Sequence, residues 1–77
     1  MNSDQIKGKW MQMRGKVREQ WGKVTDDDLD VIDGQREQLI GVLQQHYGKA
    51  RHEIEREVSD FEKRFDEAFA QEEPHRV

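Results

Sequence analysis

Trp21-Gly22-Lys23-Val24-Thr25-Asp26-Asp27-Asp28-Leu29 and Tyr47-Gly48-Lys49-Ala50-Arg51-His52-Glu53-Ile54 rhyme with each other, and together they decide the fold. In each, an aromatic residue closes an amphipathic stretch. A glycine follows, which tolerates the left-handed backbone on which helices stop. An acidic, apolar-periodic stretch then begins. The chain reads as two helix–stop–helix units laid end to end, with Gly22 and Gly48 both expected at positive φ.

Upstream of the first stop, Ile6, Trp10, Met13, Val17 and Trp21 recur at helical spacing and draw one apolar stripe from Ser3 or Asp4 to Trp21. At about 100° per residue, Lys7, Arg14 and Arg18 border that stripe on one side and Lys9 and Lys16 on the other. Gly8, Gly15 and Glu19 face outward. Thr25 is the expected cap of a short second helix, with Asp28 three residues on as in a capping box. That helix points Leu29 and Ile32 inward and ends near Gly34. A third helix, capped by Asp33 or Gly34, spans Gln35 to Tyr47. A fourth spans Lys49 to Ala70, its stripe being Ala50, Ile54, Val58, Phe61, Phe65 and Phe69. Its carboxylates are expected to be exposed and interleaved with bases. Pro74 bars continuation, so residues 71–77 read as a flexible tail.

No alternating run signals a strand. The expected fold is all-α: a single four-helix domain over residues 1–70, built as two helical hairpins packed at a steep angle because the helices are so unequal. Its expected core is Trp10, Met13, Val17, Trp21, Leu29, Ile32, Leu39, Leu43, Tyr47, Ile54, Val58, Phe61 and Phe65.

At 77 residues, 32% apolar and 39% charged, the composition borders on the disordered regime, and only the helical placement of the apolar residues argues for a core. No cysteine means no disulfide framework and no thiolate zinc site. The opening residues lack the apolar run of a signal peptide, and no window suits a membrane span, so a cytoplasmic, monomeric protein is expected. The net charge of −4 is uneven. Residues 1–23 hold six bases against Asp4 and Glu19, a balance of +4, and the remainder balances at −8. A basic helix can serve nucleic acid, through Lys7, Lys9, Arg14, Lys16 and Arg18, or lie against acids of its own fold. The overall negative charge favours the second.

Sites of chemistry are not evident. Aligning Gly34 as the glycine of a calcium loop puts Leu29 and Val31 at ligand positions, so helix capping explains the aspartates better. His46, His52 and His75 lack the spacing of a helical metal site and read as surface histidines. No nucleophile–base set suggests itself, and no glycine-rich loop suits a phosphate. The expectation is a non-enzymatic chain with no cofactor.

Ile6-Lys7-Gly8-Lys9-Trp10, Gly15-Lys16-Val17-Arg18-Glu19-Gln20-Trp21-Gly22-Lys23, Thr25-Asp26-Asp27-Asp28-Leu29 and Ile32-Asp33-Gly34-Gln35-Arg36-Glu37-Gln38-Leu39, with Tyr47-Gly48 and the region of Glu57 to Glu62, resemble the CsbD-like family of small bacterial stress-response proteins. One departure is Lys49-Ala50-Arg51, where relatives often place a hydroxyl cap. The resemblance implies an all-helical fold similar to a SAM-like bundle and a stress-response role. It brings no catalytic residue and no cofactor. Two functional readings follow. The first is an interaction or protective module with a protein partner, the Gly8–Gly15 face being its most approachable surface. The second is a weak nucleic-acid binder using the five bases above.

Overall fold

Thr25 organises the middle of the chain. Its hydroxyl accepts from the Asp28 amide at 3.1 Å while the Asp28 carboxylate accepts from the Thr25 amide at 3.0 Å, a complete capping box. The computed structural model describes residues 3–72, with side chains described from Ile6 to Ala68. Its helices are α1 (Ser3–Gly8), α2 (Trp10–Gln20), α3 (Asp26–Ile32), α4 (Arg36–Tyr47) and α5 (Arg51–Glu72). Among the described residues there is no strand, and the fold is a small all-α bundle.

The expected first helix is two. Lys9, at φ −113° and ψ 14°, leaves helical geometry, and its amide bonds Ile6 O at 3.3 Å across a tighter turn. The cause is tertiary. The α3–α4 turn, with Asp33 at φ 45° and Gly34 at φ 77°, pushes up beneath this point. A Cβ on Gly34 would lie 3.0 Å from Lys7 Cα and 3.2 Å from Trp10 Cβ. The chain bends over this buried glycine, so that Ile6 and Trp10 both reach the core.

Gly48 caps α4 at φ 65°, as expected, but Gly22 is not at positive φ. Instead α2 ends in Trp21 at φ −125°, and the Val24 amide bonds Trp21 O at 3.0 Å. This turn drives Val24 into the core, and it needs no left-handed residue. Gln35, rather than Asp33 or Gly34, precedes α4 as its N-cap. Helix α5 starts two residues later than expected, with Ala50 O accepting from the amides of Glu53 and Ile54. It continues to Glu72; residues 73–77 of the expected tail lie outside the described residues.

Arg14–Asp30 and Arg18–Asp26 put α2 and α3 antiparallel, and Lys9–Asp66 with Trp21–Glu57 do the same for α2 and α5. Helix α4 behaves differently. Its neighbours Arg36 and Glu37 reach Glu62 and Arg51, which lie about 16 Å apart along α5 at 1.5 Å per residue. The first turn of α4 is thus tied both to the first turn of α5 and to its middle. Every expected core residue is buried except Tyr47 and Phe65, which pack half-buried against the cluster; Ile6, Val24 and Ile40 join it. Ala50 is exposed, and the side chain of Phe69 lies outside the described residues.

Candidate interaction surface

The five bases singled out on the first helical stretch do not form one patch. Lys9 turns toward α5 and pairs with Asp66 at 3.2 Å. Arg14 reaches Asp30 of α3 at 3.1 Å, and Arg18 meets Asp26, also on α3. Lys16 pairs with Glu19 one turn on, at 3.8 Å. Lys7 is exposed beside the bend over Gly34. The two borders drawn from the helical wheel are thus separated by the ridge of α2: Arg14 and Arg18 meet acids of α3, and Lys9 meets one of α5. Such exposed pairs contribute between zero and about 1 kcal/mol each. Their larger effect is local: Lys9, Arg14 and Arg18 each stand against an acid from outside residues 1–23.

The Gly8 and Gly15 face is open. A Cβ at either would meet nothing within 4 Å, and Met11 beside them is 79% exposed. Gly8 is the last residue of α1 and Gly15 lies within α2. Next to Gly15 a shallow groove is floored by Leu29 and walled by Arg14, Arg18 and Asp26. Both arginines there are already engaged by α3.

Three polar clusters join helices that the sequence keeps apart. Glu62, expected at the surface, is 1% exposed. Its oxygens accept from Arg36 Nε at 3.3 and 3.5 Å, and Arg36 Nη2 donates to Ser59 Oγ at 2.9 Å. Burial raises its pKa, against the opposing pull of Arg36, and Asp66 nearby adds to the rise. His46, expected to be solvated, lies 2.7 Å from Asp28 Oδ2, tying the end of α4 to the capping box. The Thr25 amide, followed by His46, holds the Asp28 carboxyl below its ordinary value. Glu57 accepts from Lys49 at 2.6 Å and from Trp21 Nε1 at 3.2 Å, and both contacts lower its pKa, Lys49 more. Tyr47 completes this end, its hydroxyl accepting from the Lys23 amide while Lys23 Nζ stands 5.0 Å from its ring.

The sign of the Glu62 effect is testable. A raised folded-state pKa means that the folded protein binds this proton more tightly than the unfolded chain does. The stability it contributes is full below the ordinary value of 4.5 and is lost as pH rises through the higher folded value. Glu62→Gln is therefore expected to gain on the wild type in urea midpoints as pH climbs from about 4.5 toward neutrality. Parallel curves across that range would reject a buried, titrating Glu62.

Sequence reasoning missed Glu62 and a second groove, between α2 and α5, lined by Lys16, Glu19, Gln20, Phe61, Arg64 and Phe65. The available signal was that Glu62 adjoins Phe61 and sits four residues after Val58, at the edge of the stripe. Among the described residues no group of three or more His, Asp or Glu side chains is placed to hold a metal ion. No helix there is long and apolar enough to cross a membrane.

Comparison with known proteins gives a consistent answer. The chain is 52% identical over 66 residues to UPF0337 protein YjbJ of Escherichia coli, covering 86% of this chain and 96% of that one. It is 55% identical over 64 residues to UPF0337 protein PA4738 of Pseudomonas aeruginosa, covering 83% and 98%. Neither name states a reaction, a ligand or a partner. No solved structure gives a significant match. The CsbD-like family pattern fits residues 4–56, from α1 into the first turns of α5. With two thirds of its length inside that pattern, and relatives matched almost end to end, the chain belongs to the CsbD-like family.

Proposed function

We propose that this is a non-enzymatic, cytoplasmic stress-response protein, a single monomeric domain acting as an interaction or protective module, and that nucleic acid is not its ligand. The stress role rests on the family. The observation that argues against nucleic acid is the pairing of Lys9, Arg14 and Arg18 with carboxylates of other helices. A duplex would have to displace Asp66, Asp30 and Asp26 from those bases. It would meet the net negative charge of the remaining chain while doing so.

Fluorescence anisotropy with a labelled duplex and a labelled single strand, at about 50 and about 200 mM salt, tests this. No saturable binding is expected at either. Micromolar affinity at the lower salt, falling steeply at the higher and weakened by Lys9→Ala with Lys16→Ala, would establish the nucleic-acid reading instead. Each phosphate contact would then add about −0.9 to the logarithmic salt slope.

A further inference from the structure

The groove between α2 and α5 has a volume of about 370 Å³. Polar contacts clasp the two helices at its ends, Lys9–Asp66 at one and Trp21–Glu57 at the other. Between those clasps the floor is Phe61 and Phe65, with ring centroids 6.3 Å apart and tilted by 31°. Phe61 is fixed from behind by Trp21, 5.1 Å away. Phe65 is half-buried. The floor is thus apolar, with Phe65 supplying its exposed part and Phe61, 5% exposed, packed beneath.

Charge on the lips selects an occupant. Arg64 is exposed and has no acidic partner among the described residues. Opposite it, Lys16 has only the 3.8 Å contact to Glu19, with both side chains more than half exposed, a pairing of little strength. On a protein of net charge −4, these lips are a place where cations stand unneutralised beside aromatic surface. In the shallow groove beside Gly15 the lining cations, Arg14 and Arg18, are already held by aspartates.

We infer that the α2–α5 groove, rather than the Gly8–Gly15 face, is a docking surface for an acidic amphipathic helix of a protein partner. This rests on reading the protein as an interaction module. A docked helix sets its apolar residues on Phe65 and on the edge of Phe61 one helical turn away. Its flanking carboxylates meet Lys16 and Arg64.

The probe is a synthetic helical peptide of about four turns, with leucines at i, i+3, i+4 and i+7 flanked by glutamates, titrated into labelled protein by amide NMR. Saturable shifts are expected at Gln20, Arg64 and Phe65. The same peptide with lysines for glutamates should bind at least tenfold more weakly. Lys16→Glu with Arg64→Glu should reverse that preference at an unchanged thermal midpoint, since both side chains are exposed. Absence of shifts at millimolar peptide, shifts centred on Gly8 and Gly15, or equal binding of both peptides would overturn the inference. So would sedimentation showing a second copy of this chain seated there. The DNA titration is independent: a protein that ignores both DNA and peptide loses the groove assignment and keeps the module reading.

Discussion

Trp21→Ala is expected to lower the thermal midpoint by roughly 15–30 °C and to leave much of the protein unfolded at physiological temperature. Trp21 is 3% exposed, packs on Phe61 and donates its indole hydrogen to Glu57. Truncation removes the ring, opens a cavity against Phe61, and takes one of two donors from Glu57. Losses of this kind amount to about 3–5 kcal/mol. A 77-residue domain has only about 4–12 kcal/mol in total. Phe61→Ala should behave alike, since it empties the other side of the same contact. Circular dichroism on heating decides the matter, and a midpoint within a few degrees of wild type would remove this pair from the core.

Gly34→Ala should cost roughly 2–3 kcal/mol, from two sources. A side chain at φ 77° is itself disfavoured, by about 1–2 kcal/mol. Its Cβ would also stand 3.0 Å from a backbone atom, Lys7 Cα, which cannot swing aside as a side-chain tip would. The other glycines grade the effect. Gly48 shares the positive φ but has open space, so alanine there should cost only the backbone share. Gly22 has neither constraint, and alanine there should be close to neutral. Urea titrations giving Gly34 and Gly22 equal losses would contradict the bend over the α3–α4 turn.

That grading also shows where the sequence was legible. Helical stripes, the Thr25–Asp28 box and the stop at Gly48 are local, and local spacing reports them. Gly22 and Gly48 follow aromatic residues in the same way, yet only one is left-handed. The difference lies two residues on, where Val24 is pulled into the core and Ala50 stays outside. The break at Lys9 was invisible because its cause, Gly34, lies in another hairpin. Glu62 was misread for a similar reason. A glutamate among alternating charges looks solvated until the packing of α4 on α5 sets Arg36 against it. For the candidate site, the wheel separated Arg14 and Arg18, which face α3, from Lys9 and Lys16 on the α5 side. It could not say which borders are covered, because Asp66, Asp30 and Asp26 come from other helices.

The antiparallel closure of α2 on α5 also bears on the chain's synthesis. Trp21 is made forty residues before the Phe61 that covers it. At about 5–20 residues per second, Phe61 follows on the order of 2–8 s later. Through that interval Asp26 and Asp30 are already in the chain for Arg18 and Arg14, whereas Asp66, the partner of Lys9, comes five residues after Phe61. The α3 side of the basic segment can therefore close early, and its α5 side closes only with the helix that buries Trp21.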